Sequence, residues 1–209
     1  MPRIVAATGL LLLGSLSTAC MAAEPSGADS PPAAAPTGGW MLSDLTETMQ
    51  SIRGRSYASG KRLFERTHCT TCHRQDNVGH EFGPDLTKLD PRFQPLDILR
   101  DILDPSRRIA DAKFDTWIFE TDSGLIVTGL ILQETEQLVK VLEKPLASTS
   151  PTVLEKADIA ARIPSLTSMM PRGLVDGLTR DEIADLVAYV AARGDLTDPV
   201  VQTQADGGR

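Results

Sequence analysis

Ser56-Tyr57-Ala58-Ser59-Gly60-Lys61-Arg62-Leu63-Phe64-Glu65-Arg66-Thr67 runs, one residue later, into Cys69-Thr70-Thr71-Cys72-His73. The first stretch predicts a helix: Ser56 can cap it, and Gly60, Leu63, Phe64 and Thr67 fall on one face. The second is C-x-x-C-H. Two thiols separated by two residues can both add across the vinyl groups of a single haem, and the adjacent histidine is then held under the iron. Other chemistries share parts of the pattern. A redox dithiol also uses C-x-x-C, but that motif normally opens a helix after a buried strand, and here it closes one. A zinc site needs four ligands, and the nearest set is Cys69, Cys72, His73 and His80, at a spacing unlike zinc ribbons or fingers. The reading is one covalently bound haem c, with thiol exchange and zinc as the alternatives.

On either side of the motif the pattern is mostly helical. Leu96 to Leu103 (LDILRDIL) clusters Ile98, Leu99, Ile102 and Leu103 on one face, and Pro105 forces the stop. Thr179-Arg180-Asp181-Glu182 is a capping box. Ile183, Leu186, Val187 and Val190 then recur at helical spacing until Gly194. The middle differs. FDTWIFET (114–121), LIVTGLIL (125–132) and QLVKVL (137–142) are rich in β-branched and aromatic residues, with turns at Asp122-Ser123-Gly124 and Gln133 to Glu136. That predicts a three-stranded antiparallel meander over about 114–142. The expected fold class is mainly α, a helical haem domain with this meander inserted.

The chain has 209 residues, 41% hydrophobic and 23% charged, enough for one domain with appendages and too apolar for a wholly disordered chain. A formal charge of −7 argues against a nucleic-acid partner, which would need a basic face. There is no apolar run long enough to predict a spanning helix. Three cysteines are too few for a disulfide scaffold.

Residues 1–23 read as a secretory signal: Arg3, then the apolar run Ile4 to Leu16, then small residues up to cleavage near Ala23. The alternative at Cys20 is a lipoprotein signal, whose acylation would be the chain's only membrane attachment. Either way the expected location is periplasmic or otherwise exported. Residues 24–40, rich in Pro, Ala and Gly, read as a tether. Residues 41–194 are the expected folded unit, and 195–209 a disordered tail.

A haem iron has a second face, and Met169, Met170, His68 and His80 are the candidates. His68 lies on the attachment loop and cannot reach the opposite side of the ring. Ser168-Met169-Met170-Pro171-Arg172-Gly173-Leu174 is a loop with two adjacent thioethers, either a ligand among them or two core fillers.

Together with Gly83-Pro84-Asp85-Leu86, the Met170-Pro171 pair and the final LVAYV (186–190), the chain resembles a class I c-type cytochrome. More narrowly it is similar to the haem-binding domain described from planctomycete-type bacteria. That pattern runs G-x-x-x-F, C-x-x-C-H, GPDLT, a β insertion opening on an aromatic-rich strand, S-L-M-P-x-G-L and D-L-x-A-Y. The likeness spans about residues 56–193. It implies that Cys69 and Cys72 bind haem covalently, that His73 is the proximal ligand and that the Pro84 carbonyl takes the far ring nitrogen of His73. It further implies Met170 as the distal ligand, and packing of Gly60 and Phe64 against Tyr189. Ser-Met-Met-Pro stands where the family has Ser-Leu-Met-Pro, so Met169 and Met170 both stay open, and His80-Glu81 stands close by.

An iron held by histidine and methionine has no place for substrate. The expected role is a one-electron carrier, not an enzyme, serving a redox partner protein or standing as the haem subunit of a dehydrogenase complex. The alternatives are a gas sensor whose methionine leaves and a C-x-x-C thiol-disulfide oxidoreductase. Trp117, Arg92, Arg107 and Arg108 could bond the haem carboxylates, and the meander could cover the haem edge or dock a partner.

Overall fold

A computed structural model describes residues 36–108 and 111–202. The signal with Cys20, most of the tether, and the last seven residues lie outside the described residues. Four helices are present among them: α1 (Leu42–Gln50), α2 (Tyr57–Arg66), α3 (Pro95–Leu103) and α4 (Arg180–Ala192). Local chemistry sets their starts. The Ser56 hydroxyl accepts the Ser59 amide at 3.1 Å to open α2. Pro95 sits in the first turn of α3, where its missing N–H costs nothing. In α4 the Thr179 hydroxyl accepts the Glu182 amide while the Glu182 carboxylate accepts that of Thr179. Arg193 and Gly194 then take left-handed backbone and end the helix.

The helices share one core. Leu45, Leu63, Phe64, Leu99, Ile183, Leu186 and Tyr189 are buried in it. Helix α2 crosses α4 at Gly60, where a Cβ would lie 2.3 Å from the Asp185 carbonyl oxygen and 2.5 Å from Tyr189 Cβ. Only a glycine lets the two backbones approach so closely. The Phe64 and Tyr189 rings meet at 5.5 Å, and the Tyr57 and Tyr189 rings at 4.9 Å, edge to face.

The mainly α expectation is overturned. Helix accounts for 32% of the described residues and strand for 22%, because the insertion is larger than a meander. Strands β2 (Thr116–Thr121), β3 (Ile126–Glu134) and β4 (Leu138–Leu142) follow the expected order, and β5 (Thr152–Glu155) and β6 (Ile159–Pro164) join them. The sheet is antiparallel throughout, in the order β5-β4-β3-β2-β6. Its two edge strands are consecutive in sequence, joined only by a 3-10 turn at Lys156–Asp158. In a flat sheet those edges would stand about 19 Å apart, four spacings of ~4.8 Å. Four residue steps span at most about 14 Å. The sheet therefore curls into an open barrel, its edges drawn together by the turn: Lys156 N donates to Gln137 O, and Asp122 N to Asp158 O. Phe119, Val127, Val139, Val141 and Leu154 fill the inside as a second core.

Two boundaries also move. Trp40, read as the end of the tether, is buried and its indole N–H donates to Leu178 O at 3.0 Å. Of the stretch read as a tail from 195, the described residues 195–202 fold back instead. Strand β7 (Val201–Gln202) pairs in parallel with β1 (Arg55–Ser56), with Val200 and Val201 buried. No helix among the described residues is long and apolar enough to cross a membrane.

Candidate cofactor site

The Cys-x-x-Cys-His segment leaves α2 through His68, whose φ of 61° turns the chain. A single 3-10 turn (Cys69–Thr71) follows, and His73 N donates to Cys69 O at 2.8 Å. The next loop folds back onto this turn: His80 N donates to Thr70 O, Gly83 N to Cys72 O and Leu86 N to Arg74 O. These bonds carry Pro84 under the His73 ring. Nδ1 of His73 lies 2.9 Å from the Pro84 carbonyl oxygen. Since a carbonyl only accepts, Nδ1 carries the proton and Nε2 keeps its lone pair. Burial lowers the His73 pKa from its ordinary value, with the Pro84 bond opposing, so the imidazole is neutral at pH 7. A Cβ at Gly83 would lie 2.7 Å from His73 Cε1; the loop lies against the ring, and glycine leaves the room.

Cys69, Cys72 and His73 open onto one cleft, with Met169 and Met170 also in its wall. The rest of the lining is mainly apolar, from Phe64, Leu86, Phe93, Ile98, Leu186 and Val190 on the helical side. The methionine loop is pinned at several points. Ser168 N donates to the Ser106 hydroxyl and Met170 N to the Ser168 hydroxyl, both at 3.1 Å, and Arg172 pairs with Asp104 at the end of α3.

Both thiols are unbridged. Burial raises the Cys69 pKa, against a hydrogen bond with Thr67; burial and then the neighbouring Cys69 raise that of Cys72. An exchanging dithiol needs a lowered pKa on its attacking sulfur, so the thiol-exchange alternative loses support. So does zinc. Among the described residues no three His, Cys, Asp or Glu side chains converge to hold a metal ion. His80 is exposed and stacks on Phe82 instead.

Of the four residues offered to haem carboxylates, only Arg108 reaches the cleft. It stacks over Phe93 at 4.5 Å and pairs with Asp101 at 2.6 Å. Arg107 bonds Asp101 from outside the cleft. Arg92 is spent on Asp90 at the surface, and Trp117 stacks under Arg162 in the barrel. Sequence reasoning missed Asp101, and it also missed Leu130, Leu142 and Pro145 of the insertion, which form part of the wall. Nothing local marks these positions; the curl of the sheet brings them there.

A neutral imidazole with one free nitrogen, two thiols and an apolar cleft with one cation suit a covalently attached porphyrin. Residues 57–115 match the family model of cytochrome c. The chain thus carries a c-type cytochrome domain, of a class that transfers electrons, and haem c is its covalently bound cofactor. No curated protein matches the chain.

Proposed function

We propose that the chain is an exported monohaem c-type cytochrome of the planctomycete-type haem-binding kind, carrying one electron at a time between protein partners. Cys69 and Cys72 hold the thioethers, His73 Nε2 is the proximal ligand and Met170 the distal one. Haem supplies the one-electron ferric/ferrous couple. The observation that carries the reading is the His73–Pro84 bond, which fixes the tautomer and aims a lone pair into a cleft shared with both thiols and both methionines. Arg108 meets the porphyrin carboxylates, exchanging Asp101 for them. Location outside the cytoplasm rests on residues 1–23, and attachment to a membrane would rest on Cys20.

The test uses full-length protein made with a cytochrome c maturation system. A pyridine haemochrome spectrum should report a haem bound through two thioethers. Met170→Ala should change the ligand spectrum of the oxidised protein, while Met169→Ala leaves it as it was. The opposite pattern assigns Met169; no change in the double variant ends the His/Met reading. Rapid carbon monoxide binding by the unaltered ferrous protein would favour a gas sensor instead.

A further inference from the structure

Three side chains of the barrel stand on one rung. Leu142 of β4 pairs with Leu130 of β3, and Leu130 with Thr116 of β2. The Thr116 carbonyl accepts the amide of Ser165, where the chain leaves β6 for the methionine loop. Because successive strand residues alternate faces, this rung points away from the barrel core that holds Phe119, Val127 and Val141. An outward rung on a small barrel ordinarily meets water. Here it does not: Leu142, Leu130 and Thr116 are 1%, 4% and 2% exposed. Yet the two leucines belong to neither hydrophobic core. They line the cofactor cleft, beside Pro145 from the β4–β5 connection.

We propose that the two leucines of this rung are the cofactor-facing wall of the inserted barrel, and that they set the reduction potential by keeping water from the iron. The inference rests on the haem reading above and goes beyond it, giving the insertion a task. The physics has a definite sign. Ferric haem carries one more positive charge than ferrous haem. A wall of low polarizability penalises the more highly charged state, so burial favours the reduced form and raises the potential. A polar side chain on the rung, with the water it admits, stabilises the ferric state and lowers it. Leu130 and Leu142 are positioning residues in this sense, acting through the surroundings of the iron and not by binding it.

The experiment is a redox titration of mature holoprotein carrying Leu142→Asn or Leu130→Asn. The expected result is a shift of at least tenfold toward the oxidised form at fixed poise, which is 59 mV for a one-electron couple, with faster binding of added imidazole. Leu142→Met should restore the parent potential. Val153→Asn is the control: it lies on the same face, two strands from Leu130, but is half exposed and outside the cleft, so its potential should not move. Should Leu142→Asn fail to fold, Leu130→Thr suits a strand and carries the same test with the same sign. Variants with full haem content and an unmoved potential overturn the inference while leaving the cytochrome reading intact. A parent protein without haem overturns the reading itself.

Discussion

Tyr57 places its hydroxyl 3.3 Å from Asp76 Oδ2 and packs its ring edge to face against Tyr189. Burial first, then the Asp76 charge and hydrogen bond, push the Tyr57 pKa up to about 12. The consequence for stability has a clear sign. The folded state holds this proton more tightly than an unfolded chain, whose tyrosine titrates near 10. The contribution is therefore complete below pH 10 and is lost as the pH climbs from about 10 to about 12. Asp76→Asn removes the charge and leaves burial with a neutral acceptor, so the Tyr57 midpoint should fall part of the way back toward 10. Alkaline difference spectroscopy of tyrosinate measures it, and the chain has only two tyrosines. A midpoint that stays near 12 would mean that the Asp76 charge adds nothing. At this scale the sequence was informative wherever chemistry is local. Cys69, Cys72 and His73 could be singled out because their spacing suits one porphyrin, and the fold brings all three to one cleft. Which of Arg92, Arg107, Arg108 and Trp117 faces the cleft is not local, and no spacing tells them apart.

Among the elements, the crossing of α2 and α4 depends on Gly60. Alanine there gains about 1 kcal/mol of helix propensity. Its methyl group would however overlap the Asp185 carbonyl and Tyr189 Cβ, and a backbone carbonyl cannot rotate away. Overpacking of this kind costs about 1–3 kcal/mol or more, so sterics outweigh propensity. Gly60→Ala should lower the urea midpoint by an amount equivalent to about 1–2 kcal/mol. It should also disturb the haem spectrum, because Phe64 touches both Tyr189 and the cleft. A more stable variant with an unchanged spectrum would refute the close crossing. The long elements were legible by period and caps: α2, α3, α4 and the first three strands of the barrel. Helix α1 was not, since it buries only Leu45 and Met49, too little to imprint a period. Strands β5 and β6 were not legible either. They are edge strands, β5 only four residues long and β6 exposed over nearly all its length, so the alternation that reveals a half-buried strand is missing.

The molecule as a whole is held by two cores that share no residue, one helical and one inside the barrel, with the cleft between their facing walls. The barrel's chain ends meet, Trp117 pairing with Pro164, so the insertion interrupts the helical unit at a single place. That explains why a cytochrome pattern on either side of it was readable while its size was not: an insertion of this kind leaves the flanking signals untouched. The unit is closed at its other end by the segment after Gly194. Gly54 N donates to Pro199 O and Arg55 N to Val200 O, and Val200 and Val201 enter the helical core beside the start of α2. Burying a valine is worth at least about 1.5 kcal/mol, so a chain ended after Asp198 should lose about 3 kcal/mol. For a domain of this size each kcal/mol moves Tm by roughly 2–4 °C, giving a fall of about 10 °C in calorimetry of the holoprotein. The haem spectrum should survive, because neither valine lines the cleft. A truncated protein that melts within about 2 °C of the full chain would show that the returning segment adds nothing to the fold.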